Sequence, residues 1–182
     1  MSGRLTRWKG QQVLIEALSI LGREDIRCLF IGDDQGRGDY RRYLDALVKK
    51  LNLSNAVHFP GHCRDMPAAY MLADVVVSAS TEPEAFGRVM VEAQAMGKPV
   101  VVSSHGASTE LIIEGETGWS FVPGDPKSLA KALKTVLSLS EKQREGLAHK
   151  AISHVTAHFT VAHMQQQTMS TYREVLQMDP LG

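Results

Sequence analysis

Two glutamates separated by seven residues, Glu84 and Glu92, are the side chains of this 182-residue sequence best placed to act on one ligand together. They flank Phe86-Gly87-Arg88 in the run S-T-E-P-E-A-F-G-R-V-M-V-E-A, where a loop gives way to a helix. Glu84 falls in the loop, and Glu92 about a turn and a half into the helix. Gly87 lets the backbone approach a ligand closely, and the free N–H groups of a helix's first turn can bind an anion. The pair could therefore grip two hydroxylated parts of one molecule whose phosphates lie at the helix start. Each residue also has a plainer reading. Glu84 could simply cap the helix, since carboxylates favour helix N-termini, and Glu92 could be a solvated helix residue.

Elements that would position this pair alternate between strand and helix. Continuously apolar, β-branched runs occur at 26–32, 56–60, 73–78 and 99–103, with a weaker one at 119–122. Such runs suit strands buried on both faces of a parallel sheet. Helical patterns occupy Gln11–Leu21, 40–51, Met66–Leu72, 87–96 and 126–139, and two more, Glu141–His158 and Val161–Gln177, close the chain. The order implies βαβ units and a Rossmann-like, doubly wound α/β fold in a single domain over 1–182. In open parallel sheets ligands bind beyond the carboxyl ends of the strands, which is where Glu84 lies.

Several further segments agree in order with one known pattern. The E-x7-E stretch resembles the signature of retaining GT-B glycosyltransferases of the group 1 type, which use nucleotide-sugar donors. Gly3-Arg4-Leu5-Thr6-Arg7-Trp8-Lys9-Gly10 resembles that family's G-R-x(4)-K-G phosphate-binding segment, and Phe59-Pro60-Gly61-His62 its F-x-G turn beside the nucleotide base. Glu92-Ala93, Gly97-x-Pro99-Val100-Val101 and Glu110…Gly115-x-Thr117-Gly118 complete the pattern, so the resemblance spans nearly the whole chain. It implies the C-terminal, donor-binding domain of such an enzyme. Arg4 and Lys9 would then bind the donor diphosphate, and Glu84 would accept hydrogen bonds from the transferred sugar. Glu92 would hold the ribose hydroxyls, main-chain N–H groups of Phe86, Gly87 and Arg88 would add to the phosphate site, and Gly61 and His62 would lie beside the base. The implied substrate is a UDP- or GDP-sugar, with no cofactor and no essential metal. Outside that segment Arg4 and Lys9 would read as surface charges, and the Arg88 side chain is as readily solvated as functional.

Composition narrows the alternatives. Formal net charge is zero with both signs interspersed, which argues against nucleic acid as a bulk electrostatic partner. Cys28 and Cys63 form no C-x-x-C pair, so zinc or redox chemistry is not indicated and a reduced cytosolic setting is expected. No apolar run approaches the ~20 residues needed to span a bilayer, so the chain is read as soluble. The longer enzyme could associate peripherally with the inner face of a membrane. Gly32-Asp33-Asp34-Gln35-Gly36-Arg37-Gly38 fails the dinucleotide spacing and reads as a long loop leading into the next helix. His62 lies near the expected base pocket and His105 in a post-strand loop; His149, His154, His158 and His163 look like helix-surface residues.

Two departures from the family pattern carry expectations. The N-terminal, acceptor-binding domain is absent, and only Met1 and Ser2 precede Gly3, where the family has a strand. Fewer parallel strands, an uncovered apolar stripe on the last helix (Val161, Met164, Thr168, Met169, Tyr172, Val175 and Leu176) and self-association are expected. The isolated chain would bind a donor without transferring sugar efficiently. The competing reading is a non-catalytic nucleotide-sugar-binding module that needs a separate acceptor subunit.

Overall fold

The computed structural model describes residues 1–36 and 38–177; Arg37 of the 32–38 loop lies outside the described residues. Among the described residues, five short parallel strands alternate with helices. They are β1 (Cys28–Ile31), β2 (Val57–Gly61), β3 (Val76–Ser78), β4 (Val100–Ser103) and β5 (Gly118–Phe121). The helices are α1 (Gln11–Leu21), α2 (Gly38–Lys50), α3 (Met66–Leu72), α4 (Arg88–Ala95), α5 (Pro126–Leu137), α6 (Glu141–His158) and α7 (Val161–Gln177). Every strand read from the sequence is present; β1, β3 and β4 are shorter than their apolar runs, and β2 and β5 are as long as theirs but displaced by one residue.

The strands do not form one sheet. β1 pairs with β2, and separately β4 sits between β3 and β5, with Val76 opposite Val100 and Val100 opposite Gly118. The chain start partly bridges the break. Ser2 lies beside Ile31 in parallel register, the Met1 nitrogen donates to the Leu29 carbonyl at 2.9 Å, and Gly3 N–H to the Ile31 carbonyl at 2.8 Å.

Alternation along the strands divides the core in two. Val77 and Val101 face α1 and α5, where Leu14, Leu18, Leu129, Leu133 and Val136 are buried; Phe30, Leu44 and Val57 extend that cluster under α2. Val76, Val100 and Val102 face the other way, onto Tyr70 of α3, Met90 and Ala93 of α4, and Leu111. These side chains are buried from both sides, which is why the strands read as unbroken apolar runs.

Helix ends follow local chemistry. Asp125 accepts from the amides of Lys127 and Ser128 ahead of α5, with Pro126 in the first turn, and Ser140 with Gln143 closes a capping box on α6. On α7, Val161, Met164, Met169, Tyr172, Val175 and Leu176 are all exposed, so the apolar stripe is uncovered as expected. None of the helices described is long and apolar enough to cross a membrane.

Candidate functional site

The carboxyl ends of β3 and β4 and the segment after Gly3 converge on Glu84. Thr81 N–H donates to the Trp8 carbonyl at 2.7 Å, tying the first segment to the loop after β3. A 3-10 turn over Arg7–Lys9 ends at Gly10 with φ of 74°, and a Cβ there would sit 1.8 Å from the Ala79 carbonyl oxygen. Only glycine permits both that left-handed backbone and that close approach. The approach delivers Lys9 to the loop. Its ammonium lies 2.9 Å from Glu84 Oε1 and 4.4 Å from the centre of the Trp8 ring.

Glu84 Oε1 also accepts from the Ser80 hydroxyl and, at 3.5 Å, from the Ser78 hydroxyl. The Lys9 and Glu84 side chains are only 15% and 14% exposed, so this is a sheltered pair rather than a surface contact. Burial alone would push the Glu84 carboxyl up; hydrogen bonds from Ser80, Lys9 and Ser78 outweigh it and hold the group below its ordinary range. All three donors converge on one oxygen, leaving Oε2, which has no partner among the described residues, as an acceptor that a ligand hydroxyl can use. Behind the loop, Ala107 N–H donates to the Glu84 carbonyl at 3.3 Å, and His105 tucks in with both ring nitrogens buried and no partner among the described residues.

Gly87 caps α4 with φ of 78° and no side-chain capping bond, so Glu84 does not cap this helix and the first-turn amides are left to other partners. Phe86 is 45% exposed and meets Phe159 edge-on at 6.1 Å. Glu92, one turn further along α4, accepts from the Tyr70 hydroxyl at 2.9 Å and pairs with Arg88 at 3.3 Å. Burial, then the neighbouring Glu92 carboxylate, raises the Tyr70 phenol well above its usual range. Gly61 ends β2, where its carbonyl accepts from Gly32 N–H at 2.8 Å, and His62, which follows the strand, is exposed. The Arg4 side chain is exposed; its carbonyl accepts from the buried Gln11 side chain at 2.8 Å.

Structure thus joins Lys9 to Glu84 directly, joins Arg88 to Glu92, and keeps the two glutamates on separate partners. Sequence reasoning missed Ser78, Ser80 and Tyr70. The serines were discoverable as hydroxyls at a strand end, immediately before the acidic loop; Tyr70, on another helix and 22 positions from Glu92, gave no local signal. His154 and His163 are half-buried rather than on the helix surface; His154 packs edge-on against Phe159 at 5.3 Å.

The chain is similar to known proteins over most of its length. The family model for glycosyl transferases group 1 matches residues 1–154. A D-inositol 3-phosphate glycosyltransferase of Corynebacterium urealyticum is 35% identical over 99% of this chain, which covers 43% of that protein. Anabaena HepE, solved in complex with UDP-glucose, superposes with a TM-score of 0.87 at 34% identity, over 94% of this chain and 47% of that one. The C-terminal domain of a group 1 glycosyltransferase, LpcC from Francisella tularensis, matches at TM-score 0.78 and 29% identity, over 88% of this chain and 84% of that domain. The chain spans less than half the length of the full-length relatives. It belongs to the group 1 glycosyltransferases and corresponds to their C-terminal domain.

Proposed function

We propose that this domain binds a nucleotide-diphosphate sugar and serves as the donor half of a retaining hexosyltransferase. The observation that carries the reading is the sheltered Lys9–Glu84 pair beside the uncapped start of α4. It sets a fixed cation, free main-chain amides and an unused carboxylate oxygen side by side, as a sugar joined to a diphosphate requires. Lys9 and Arg4 neutralise the phosphates, aided by the amides of Phe86, Gly87 and Arg88, so charge that builds on the departing diphosphate meets donors already in place. Glu84 Oε2 accepts from the sugar hydroxyls, Glu92 holds the ribose, and Gly61 and His62 border the base. HepE's UDP-glucose makes UDP-glucose the first donor to test.

In this scheme the phosphates are met by side-chain cations and amides, so no divalent ion is needed. The acceptor site belongs to the other half of the longer protein, and catalysis needs both halves to orient the acceptor and exclude water. Calorimetric titration of the chain with UDP and with UDP-glucose, with and without EDTA, tests the assignment. Affinity is expected to survive EDTA. Glu92→Ala is expected to weaken UDP and UDP-glucose alike by about tenfold, and Glu84→Gln to weaken only UDP-glucose, by about the same factor. Binding that vanishes in EDTA and returns with Mg²⁺, or equal effects of both substitutions on UDP, would sink the reading.

A further inference from the structure

The junction of α6 and α7 gathers histidines that the donor site does not use. His154 and His158 stand one turn apart on α6 with ring centres 5.1 Å apart, and His163 of α7 lies 6.4 Å from His158. Phe159 packs against both α6 rings, edge-on to His154 at 5.3 Å and to His158 at 6.2 Å. Nε2 of His154 is buried and has no hydrogen-bond partner among the described residues. The Leu111 carbonyl accepts from the same ring, which puts the proton on Nδ1 and leaves Nε2 with a lone pair. A histidine whose second nitrogen donates to a main-chain carbonyl is oriented as metal-ligating histidines are. A buried lone pair without a partner also costs stability, and a cation beside it would offset that cost.

We propose that His154 and His158 form a two-imidazole site for Zn²⁺, separate from the donor site. The spacing selects the ion. Two imidazoles bound through nitrogens about 2.0–2.1 Å from one ion have ring centres about 5.2 Å apart at a tetrahedral angle and about 4.5 Å apart at a right angle. The observed 5.1 Å matches the tetrahedral ion. Histidines at i and i+4 lie on one face of a helix, a spacing that suits zinc. His158 is exposed, so its ring can turn a nitrogen towards Nε2 of His154. His163 lies beyond that range and meets Gln167 at 3.2 Å. No group of three possible ligands stands together among the described residues, so water fills the remaining positions on the ion. A hard ion such as Mg²⁺ prefers oxygen ligands and does not suit the pair. Zinc held here ties down the last turn of α6 and Phe159, whose ring meets Phe86 at 6.1 Å beside the start of α4. The ion touches neither Lys9 nor Glu84, so the site stands whether or not the donor reading does.

Calorimetric titration of the chain with zinc chloride, and with magnesium chloride for comparison, tests the site. Zn²⁺ is expected to bind one to one and to raise the melting temperature with its concentration. Hydrogen exchange is expected to slow at the Phe159 amide, which donates to the Val155 carbonyl. The His154 and His158 imidazole resonances are expected to shift along a single titration curve. His158→Gln, at an exposed position, is expected to fold normally and to weaken Zn²⁺ at least about tenfold. His154→Gln is expected to weaken it as much, and His163→Gln by less than about twofold. The proposal is overturned if His158→Gln binds Zn²⁺ as the native chain does, if His163→Gln loses as much affinity as His158→Gln, or if Mg²⁺ stabilises the chain equally well.

Discussion

Glu84 and Glu92 look like equal partners in the sequence, but they occupy opposite kinds of environment. Glu84 is sheltered, charged and tied through one oxygen to a lysine brought from the start of the chain. Glu92 is 39% exposed on its helix, paired with a largely solvated arginine and fixed instead by a buried phenol. A sheltered carboxylate with one oxygen to spare suits selective contact with a sugar. A half-open carboxylate on a rigid helix suits a contact that any nucleotide can make. Spacing sets both beside the same helix start, but tertiary partners give them different environments.

The largest test of this contrast leaves both glutamates untouched. Gly10 is what allows the Lys9 turn to press against Ala79, and any Cβ there collides with backbone. Gly10→Ala is expected to cost about 3 kcal/mol or more in denaturant unfolding, because it combines a strained φ with a steric overlap neither side can relieve. Donor affinity should fall with it, since Lys9 would leave Glu84. A loss below about 1 kcal/mol would show that the turn can shift freely and that the Lys9–Glu84 geometry is not imposed by the fold.

The contrast should also divide by pH. Glu84 has a depressed folded-state pKa, so the stability it contributes is present above its unfolded value of about 4 and is lost as the pH falls through the folded value. Tyr70 has a raised one, so its contribution is present below about 10 and declines as the pH rises beyond that. Cys28, buried and pushed up to about 11, declines in the same direction from about 9. Urea unfolding at a series of pH values should show Glu84→Gln flattening the acid limb alone. Tyr70→Phe should flatten part of the alkaline limb and leave the share due to Cys28. If Glu84→Gln left the acid limb as steep as before, the Lys9–Ser80–Glu84 cluster would carry no linkage to folding.

Much of this architecture was legible because burial on both faces produces long β-branched runs that no helix period explains, as at Val100–Ser103. Gly87 was legible too, and it adopts left-handed backbone at the start of α4; Gly10, which does the same where the Lys9 turn meets Ala79, stood in the sequence only as part of a motif. What was not legible depends on contacts between distant parts of the chain. Nothing near Tyr70 announces Glu92, and nothing near Lys9 says that its ammonium reaches Glu84, although Ser78 and Ser80 stand as hydroxyls just before the acidic loop. Division of the sheet was foreseeable only as a shortage of strands. Which strands pair is set by contacts between segments far apart in sequence, which the runs themselves do not carry.

Arg88 gives the smallest expected effect and the sharpest reading of the Glu92 side. It lies four residues before Glu92 on α4, close enough to pair, but its side chain is 84% exposed and the separation is 3.3 Å. A pair in that setting gains little Coulomb energy, is screened by salt and gives up rotamer freedom to hold its geometry, so its net worth is about 0.5 kcal/mol or less. Glu92 keeps Tyr70 when Arg88 is removed, so the carboxylate stays in place. Arg88→Ala should therefore shift unfolding by no more than that amount, and UDP affinity by less than about threefold at physiological salt. Its main-chain amide, which the substitution preserves, remains available to phosphate. If Arg88→Ala weakened UDP tenfold or more while stability held, the guanidinium itself would be a phosphate ligand. The open side of the site would then be as specialised as the sheltered one.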